Sequence, residues 1–530
     1  MVRWAAEQFG PSEALVATVG DQAGLRLTYS DLASRIEAAA RAFVAAGVEP
    51  GQRVAVWAPN GPAWVEAVLG LQSAGAVLVP LSTRFKGPEA AYILSRSRAV
   101  ALVSAGSFLG SNYPGMLDGL DLPDLAHRVV LADDGPDGWT AWDSFVAAGA
   151  GVAPGVVSER LGALGPDDLS DLMFTSGTTG APKGVMATHG QTLRVFREWR
   201  DIVGLETGDR YLIVNPMSHT FGYKAGVVAG LMTGACLVPL PVFDVDAVLD
   251  AVSAEKVSVL PGPPALYQSL LDHPRLAEAD RSSLRLAVTG AAVIPTDLVR
   301  RMQDELGFQT VITAYGLTES CGCVTACRRG DDIETIALTS GRAFSGVEVR
   351  IVDDQGRVQS PGRAGEIVCR GYNVMPGYFE DPEATAEAID PEGWLHTGDI
   401  GTMDDAGNVR ITDRKKDMFI VGGFNAYPAE IESLLLAHPE VAQVAVVGVP
   451  DDRLGEVGVA FVVPRHGIAL EGSEISSWAR DQMANYKVPR RVFVVDSLPL
   501  NAAGKVLKYE LRRRATGAPP DQGTGPKETR

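Results

Sequence analysis

Short apolar runs alternate with longer mixed runs through the first half of the chain. Arg53–Trp57 is rich in residues that favour strands, residues 61–74 are long enough for a helix, and residues 75–80 are again short and apolar. The same alternation recurs through the short apolar runs at 101–103, 211–214 and 235–239. Because strands that alternate with helices build parallel sheets, the pattern predicts a large α/β unit of stacked sheets flanked by helices.

The pattern changes in the second half of the chain. Near Gly341, short runs with Gly and Asp turns predict an antiparallel β region that ends at 408–412. After the charged run 413–417, the pattern predicts helices over Pro428–Leu436 and near 474–485, and strands at 441–449 and 459–463. We therefore predict a large N-terminal domain over 1–415 and a small, mobile α+β C-terminal domain over 416–513. Residues 514–530 are rich in Pro and Gly and are predicted to form a disordered tail.

Composition and charge restrict the class of protein. The chain has 530 residues, which is too long for a single hydrophobic core, so two or more packed units are expected. Of its residues, 46% are hydrophobic. No apolar stretch reaches the ~18–20 residues that would span a bilayer, and the N-terminus lacks the apolar segment of a signal peptide. The net charge of −18 argues against a nucleic-acid surface, which needs clustered Lys and Arg. These features predict a cytoplasmic globular protein and leave open whether it forms a homo-oligomer.

Three of the five cysteines lie close together in the sequence, at Cys321, Cys323 and Cys327. A metal site is one interpretation, but the cluster lacks paired CxxC spacing and a nearby His. The surrounding residues are apolar, which favours the second interpretation, that the cysteines are small buried side chains.

The strongest chemical signal is a loop of Gly, Ser and Thr that leads to one lysine. Its residues are Phe174-Thr175-Ser176-Gly177-Thr178-Thr179-Gly180-Ala181-Pro182-Lys183-Gly184-Val185. Glycines free the backbone, hydroxyls donate hydrogen bonds and the lysine supplies charge, so the loop suits a polyphosphate. It is not a Walker loop, because Gly184 follows the lysine where that motif has Ser or Thr. The residue types alone leave a flexible surface turn open as the alternative.

This string resembles the phosphate loop of the adenylate-forming superfamily, in its branch of AMP-forming acyl-CoA synthetases. The resemblance runs from residues 27–29 to Lys505, with the motifs in the family's order. It implies that the chain uses ATP, Mg²⁺ and coenzyme A and acts on a small-molecule carboxylic acid. The acid would attack the α-phosphate of ATP to give an acyl-adenylate and pyrophosphate, and coenzyme A would then take the acyl group. In this resemblance the phosphate contacts are Thr175, Ser176, Gly177, Thr178, Thr179, Gly180 and Lys183.

The resemblance also assigns the nucleotide site. It implies that Tyr315 stacks on adenine beside Gly316, that Thr318 bonds the α-phosphate, and that Glu319 holds Mg²⁺, a role that suits a carboxylate. The remaining implied nucleotide contacts are Gly290, Ala291 and Ala292 at adenine, and Asp399 and Arg414 at ribose. The structural alternatives are a buried tyrosine beside a helix cap, a plain strand-to-helix turn, and a surface aspartate in a turn.

A second segment, residues 215–222, resembles the wall of the family's acyl pocket. The resemblance implies that His219, Phe221 and Gly222 line this pocket together with Gly316, and that His219 orients the substrate carboxylate. A structural core histidine is the alternative for His219.

Lys224 follows this segment closely and is unusual among apolar neighbours. It would meet either a polar group of the substrate or a phosphate of coenzyme A, but a surface lysine with its stem on apolar neighbours is favoured.

In the small domain the resemblance implies three functional positions. Lys505 is the catalytic lysine that bridges the substrate carboxylate and the α-phosphate, with Thr318, Glu319 and His219 as its partners in catalysis. A mobile cation of this kind offsets the repulsion between two anions as they converge. Lys416 is the hinge, and Gly422 and Gly423 let coenzyme A pass close to the backbone.

Other functions remain to be separated from this one. Amino-acid adenylation normally uses an aspartate near the position of Phe221, which is not acidic, whereas loading of a carrier protein and luciferase-type oxygenation share the motifs. A non-catalytic adenylate-binding regulator would have no need of Lys505.

Gly316 stands where acetate-specific relatives have a tryptophan, so larger acids are expected. Residues 221–226, 260–271 and 314–319 are most similar to actinobacterial steroid-catabolic (indane-propanoate) CoA ligases. This predicts a bulky alicyclic propanoate or a medium- or long-chain fatty acid.

Overall fold

The computed structural model divides the chain into two compact units, Met1–Thr175 with Lys183–Lys415, and Ser176–Pro182 with Lys416–Arg530. It describes residues 1–20, 22–132, 134–176, 181–290, 294, 296–353, 355–414, 419–426, 428–465, 467–499, 506 and 508–517. At residues 176, 412–414, 425, 429, 433 and 509 the description covers the backbone alone.

Two large sheets make up most of the first unit. The wider one has nine strands within the described residues. In spatial order they are Arg342–Ala343, Thr325–Ala326, Thr310–Tyr315, Leu286–Gly290, Val259–Pro261, Arg210–Ile213, Cys236–Pro239, Glu13–Val16 and Arg26–Thr28. The five strands from Thr310–Tyr315 to Cys236–Pro239 pair in parallel. Their carboxyl ends therefore lie at one edge of the sheet, where open α/β sheets place their ligands.

The second large sheet has seven strands within the described residues. In spatial order they are Pro182–Thr188, Leu169–Ser176, Val77–Pro80, Arg53–Trp57, Ala99–Ala105, His127–Leu131 and Thr140–Ala141. A two-stranded ribbon, Ser107–Phe108 with Ser111–Asn112, follows one of these strands in the chain. The parallel pairing of Arg53–Trp57 with its neighbours confirms the predicted α/β architecture, and each predicted strand of the first half is present.

Helices connect these strands, as the alternating pattern predicts. The α-helices of the first unit are Val2–Phe9, Tyr29–Ala45, Pro62–Ser73, Gly87–Ser97, Trp142–Ala148, Pro154–Ala163, His189–Val203, Thr220–Gly222, Ala229–Thr233, Val245–Glu255, Pro264–Leu271, Thr296–Asp304, Ile333–Leu338 and Pro382–Ala388. Short 3₁₀ turns occupy Gly115–Leu117, Gly149–Gly151, Pro274–Ala277 and Thr318–Ser320, and Tyr223–Val228 forms a π-helical turn. Helix Pro62–Ser73 is apolar on nearly every face and almost wholly buried, as expected of a helix enclosed in the core.

A four-stranded antiparallel sheet follows in the sequence and completes the first unit. Its strands are Val347–Val352, Gly365–Gly371, Leu395–Met403 and Val409–Arg414. All three pairings are antiparallel, which confirms the predicted β region. All five cysteines of the first unit are free and buried, so the interpretation of Cys321, Cys323 and Cys327 as small core residues is confirmed.

The second unit is an α+β domain with its own core. Its strands are Phe419–Val421, Phe424–Ala426, Val441–Asp451, Gly455–Pro464 and Arg491–Val494, and its helices are Pro428–Leu436, Gly472–Gln482 and Lys508–Thr516. The predicted strands and helices of this region are confirmed.

The predicted start of the disordered tail at residue 514 is wrong, because helix Lys508–Thr516 continues to Thr516. Leu511 and Ala515 of this helix are buried against the strands of the second unit, and Gly517 follows with a positive φ of 73°. The buried side chains stabilise the last helical turn, and the glycine that follows ends the helix. The rest of the predicted tail, from residue 518, lies outside the described residues. Among the described residues, no helix combines the length and the apolar composition needed to cross a bilayer.

Candidate active site

Glu319 is the meeting point of two of the predicted motifs. Its Oε1 accepts a hydrogen bond from the Thr175 hydroxyl at 3.3 Å, and Thr175 opens the phosphate loop. The same oxygen accepts a second hydrogen bond from the Tyr378 hydroxyl at 2.9 Å. The side chain is partly buried, and desolvation raises its pKa, while the bond from Tyr378 opposes that shift. A carboxylate therefore lies next to the start of the phosphate loop, where it could face a metal-bound phosphate.

Tyr378 is a residue that the sequence motifs did not reveal. Its ring lies under Lys183, whose Nζ is 5.2 Å from the ring centroid. Two backbone hydrogen bonds tie its neighbours to the strand that carries Lys183: Phe379 N to Gly184 O at 2.7 Å and Met186 N to Gly377 O at 3.1 Å. Tyr378 thus connects the lysine after the phosphate loop to Glu319.

The predicted adenine and ribose contacts meet at the edge of the nine-stranded sheet. Tyr315 ends its strand, and its hydroxyl donates to Asp399 Oδ2 at 2.7 Å. Both side chains are buried, and burial together with the Asp399 charge raises the pKa of Tyr315 well above its usual value. Asp399 pairs with Arg414 in the register of the antiparallel sheet. The structure therefore brings Tyr315 close to Asp399 and sets the two predicted ribose residues directly opposite each other.

Gly290 closes the neighbouring parallel strand. It pairs with Ala314 in register, and a Cβ added at Gly290 would lie 3.1 Å from the Ala314 carbonyl oxygen. The absence of a side chain leaves the backbone open at the strand end next to Tyr315. Ala291 and Ala292, which complete this predicted segment, lie outside the described residues.

His219 caps the short helix Thr220–Gly222, which ends the predicted acyl-pocket segment. Its Nδ1 accepts a hydrogen bond from Phe221 N at 3.3 Å. The ring keeps an accessible face, so the alternative of a core histidine is not what the structure shows. Desolvation by the surrounding protein lowers its pKa, so the neutral ring is favoured near neutral pH. Because Nδ1 accepts, the neutral ring carries its proton on Nε2 and can donate it to an oxygen anion.

Asn60 is a second residue that the motifs missed, and it fixes the loop before His219. Its Oδ1 accepts from Met217 N at 2.7 Å, and its side-chain amide donates to the Asn215 carbonyl at 3.0 Å. The Asn60 side chain is buried. This residue therefore positions the chain that leads into His219.

Two glycines of the predicted acyl pocket occupy sites of close backbone approach. A Cβ added at Gly222 would lie 2.2 Å from the Pro216 carbonyl oxygen, and one added at Gly316 would lie 2.2 Å from the Gly322 carbonyl oxygen. Both positions need glycine for local packing, whatever else they do. Phe221, another residue of the predicted acyl pocket, is partly buried.

The expectation that Lys224 lies on the surface is wrong. Its side chain is 1% exposed, and its Nζ pairs with Asp171 Oδ1 at 3.0 Å. The sequence could not reveal this pair, because the two residues are far apart along the chain.

The predicted coenzyme A glycines form the turn of a hairpin in the second unit. Gly422 and Gly423 join strands Phe419–Val421 and Phe424–Ala426, and their φ angles are 55° and 84°. Positive φ at both central residues is the mark of a type I′ turn, which strongly favours glycine. Turn geometry thus gives a structural reason for both glycines.

Several predicted site residues lie outside the described part of the chain. They are Gly177, Thr178, Thr179, Gly180, Lys416 and Lys505, and the side chains of Ser176 and Arg414. Thr318 is described and begins the 3₁₀ turn before Cys321; its hydroxyl makes no hydrogen bond among the described residues.

The donor set suits Mg²⁺ bound through a substrate. Mg²⁺ keeps several waters and is usually held by one or two carboxylates together with substrate phosphates. Glu319 provides such a carboxylate, and among the described residues no group of three or more His, Cys, Asp or Glu forms an all-protein cage. When bound, the ion would neutralise phosphate charge during transfer.

The fold and these side chains define a nucleotide-dependent α/β enzyme with a separate α+β domain. The chain belongs to the AMP-binding enzyme family, whose main domain matches residues 2–379 and whose C-terminal domain matches residues 430–505.

Two relatives have the same name, 3-[(3aS,4S,7aS)-7a-methyl-1,5-dioxo-octahydro-1H-inden-4-yl]propanoyl:CoA ligase. The chain is 52% identical to the one from Mycobacterium tuberculosis, over 92% of this chain and 94% of the relative. It is 48% identical to the one from Rhodococcus jostii, over 96% of each chain. Among solved structures, the amide bond synthetase McbA from Marinactinospora thermotolerans superposes with a TM-score of 0.84 at 30% identity, covering 97% of this chain and 99% of that one. The predicted class is confirmed: the chain is an AMP-forming acid–thiol ligase that uses ATP, Mg²⁺ and coenzyme A.

Proposed function

We propose that the acid substrate is a bulky alicyclic propanoate of the indane-dione type, with a medium- or long-chain fatty acid as the second candidate. The observation that carries this proposal is the identity with two ligases named for that acid, which extends over nearly the whole of each chain. Gly316 supports it, because no side chain at this position narrows the predicted acyl pocket.

The first half-reaction joins the acid to AMP. The carboxylate oxygen attacks the α-phosphate, the bond to the β-phosphate breaks, and pyrophosphate leaves. In our proposal the phosphate loop and Lys183 hold the phosphates, Thr318 bonds the α-phosphate, and Lys505 bridges it to the carboxylate. Asp399 and Arg414 hold the ribose against Tyr315. The neutral His219 donates from Nε2 to the carboxylate, which orients it without adding a charge.

The second half-reaction moves the acyl group to coenzyme A. The thiolate attacks the acyl carbon, AMP leaves with the electron pair of the broken acyl–phosphate bond, and the thiol proton is released to solvent. We propose that Gly422 and Gly423 line the path of coenzyme A and that Lys416 is the hinge between the two half-reactions. Because ATP and coenzyme A are cytoplasmic metabolites, we also propose that the enzyme works in the cytoplasm.

The test is a panel of acids incubated with ATP, Mg²⁺ and coenzyme A. We expect AMP and pyrophosphate in equal amounts with the acyl thioester, and the highest kcat/KM on the indane-dione propanoate. Formation of ADP and phosphate would contradict the adenylate route. A higher kcat/KM on straight-chain acids would favour the second candidate. A parallel series with an amine in place of coenzyme A tests whether the chain resembles McbA in its acceptor, and we expect the thiol to be preferred.

A further inference from the structure

Lys224 and Asp171 form an ion pair in the interior of the first unit. Each side chain is 1% exposed, and Nζ lies 3.0 Å from Asp171 Oδ1. Burial alone would lower the pKa of Lys224, but the Asp171 carboxylate outweighs it and the pKa is raised. The lysine is therefore charged, and its charge is balanced by a single aspartate.

The hydrogen bonding of this ammonium group is incomplete. Its other neighbour is the Cys321 sulfur at 3.5 Å, a weak acceptor. Burial raises the pKa of the Cys321 thiol, so the sulfur stays protonated and neutral. An ammonium group has three N–H donors, and the third has no acceptor among the described residues. Asp171 Oδ2 accepts from the Ser170 hydroxyl at 2.6 Å, and its Oδ1 faces the ammonium group.

The ammonium group lies where the two predicted walls of the acyl pocket meet. Lys224 belongs to the π-helical turn Tyr223–Val228, which continues directly from the helix containing Phe221 and Gly222. Cys321 belongs to the loop that begins at Gly316, and a Cβ added at Gly322 in that loop would lie 3.1 Å from the Thr220 Cβ. The two segments thus touch, and Lys224 joins them. π-Helical turns in α-helices are frequent at functional sites.

The balance of charge decides which ligand would suit the third donor. A second carboxylate on the acid would bring a net negative charge into a buried site, which is costly. A neutral carbonyl oxygen accepts a hydrogen bond and adds no charge. We propose that Lys224 is a specificity-determining residue that donates a hydrogen bond to a ring carbonyl of the acid, with Asp171 and Cys321 holding its ammonium group in place. This inference rests on the proposed ring-bearing substrate and adds the group by which the ring is recognised.

The experiment compares two acids, the indane-dione propanoate and the same propanoate without its ring carbonyls. The wild-type enzyme should prefer the dione in kcat/KM by about tenfold to a hundredfold, the usual range for a hydrogen bond to a charged donor. The double variant Asp171→Asn/Lys224→Met removes both charges together, so no buried ion is left alone. Its ratio of the two kcat/KM values should fall to about one.

A matched control is present in the second unit. Lys487 is also buried, and its Nζ pairs with Glu430 Oε1 at 2.7 Å. The variant Glu430→Gln/Lys487→Met makes the same change in chemistry away from the first unit's core, and it should keep the wild-type ratio whatever it does to thermal stability. Lys224→Arg keeps a positive charge beside Asp171 but moves the donors, so it should also lower the ratio.

Three results would overturn the inference. The first is a wild-type enzyme that does not discriminate between the two acids, a measurement that needs no variant to fold. The second is a double variant that keeps the wild-type ratio. The third, a wild-type enzyme that activates neither ring acid, would overturn the proposed substrate as well, which distinguishes it from the other two.

Discussion

Gly316 shows how a single backbone contact changes the meaning of a candidate pocket residue. Its position matches one where a tryptophan would close the pocket in acetate-specific relatives, which makes Gly316→Trp an obvious probe of pocket size. In this chain, however, even a methyl group there meets the Gly322 carbonyl at 2.2 Å, so any substitution must first displace the loop. Loss of activity in such a variant could therefore result from displacement of the loop as well as from a narrower pocket.

We therefore expect Gly316→Ala to lower thermal stability, because a methyl group forced into a close backbone contact typically costs about 1–3 kcal/mol. The measurement is the midpoint of thermal unfolding. Gly155→Ala is the control, since Gly155 lies in helix Pro154–Ala163 with nothing within 4 Å of an added Cβ. That variant should be neutral or slightly stabilising. Equal midpoints for both alanine variants would contradict the expected close contact at Gly316.

His219 has two roles that substitution can separate. Asn is a good helix cap, so His219→Asn should keep the cap on Phe221 N and the thermal stability, while it loses the Nε2–H donor. We expect its adenylation rate, measured by pyrophosphate release, to fall by about 10²-fold. His219→Ala should be equally slow and less stable by about 1 kcal/mol. Recovery of activity in the Asn variant would mean that the histidine acts as a cap alone.

Tyr378 is expected to control the charge of Glu319. Desolvation raises the pKa of Glu319, so the carboxylate that we propose for Mg²⁺ is lost on acidification at a higher pH than for an ordinary glutamate. The Tyr378 hydroxyl bonds the charged form and lowers that pKa. Tyr378→Phe should therefore move the acid limb of the adenylation rate to higher pH and raise the Mg²⁺ concentration needed for half-maximal rate, by about tenfold. Tyr372→Phe is the control, because Tyr372 donates to Glu198 at 2.9 Å; an equal pH shift there would contradict a specific role for Tyr378.

At the scale of the element, the sequence predicts strands well and long-range contacts poorly. The apolar run 101–103 marks the centre of strand Ala99–Ala105, whose ends are set by pairing with neighbours rather than by local composition. The phosphate loop and the 315–319 motif are each a continuous stretch of sequence, so the chemistry of each can be predicted from local sequence. The hydrogen bond from Tyr378 to Glu319 spans 59 residues, and that from Met217 to Asn60 spans 157. No local signal in the sequence marks such partners, so sequence patterns do not reveal Tyr378 and Asn60 and do not predict the burial of Lys224.

The hairpin turn at Gly422 and Gly423 allows a prediction at this scale. An Asn-Gly pair is favoured in type I′ turns, so Gly422→Asn should preserve the hairpin, with the flexible Leu454 side chain as the nearest contact of the new Cβ at 3.4 Å. If coenzyme A passes close to this backbone, thioester formation should slow more than adenylation does. Rates of acyl-CoA formation from a synthetic acyl-adenylate, compared with pyrophosphate release, measure the difference. Wild-type rates in both assays would contradict a role for the glycines in coenzyme A binding and would leave them a structural role in the turn alone.

At the scale of the whole molecule, the chemistry is divided between two units of different architecture. The large unit carries Thr175, Glu319, Tyr315 and Asp399 among its described residues, and these are residues that we propose for nucleotide binding. A cation that approaches both the carboxylate and the α-phosphate is still required, because two anions must meet in the first step. Lys505 is the proposed source of that cation, and it belongs to the sequence of the second unit. Once the acyl-adenylate has formed, two separate anions no longer have to be brought together, so the role of the lysine should be confined to one half-reaction.

This division predicts opposite defects for two substitutions. Lys505→Ala should slow adenylation by about 10²–10³-fold, or about 3–4 kcal/mol, as expected for loss of one preorganised charge. Supplied with synthetic acyl-adenylate, it should still form the thioester at close to the wild-type rate. Lys416→Pro fixes φ at the proposed hinge, so it should release one equivalent of pyrophosphate per enzyme and then stall before the thioester. Rapid-quench measurement of both half-reactions distinguishes the variants. An equal loss in both half-reactions for Lys505→Ala would mean that the lysine supports the structure of its unit and that the cation of the first step comes from elsewhere, with Lys183 as the next candidate.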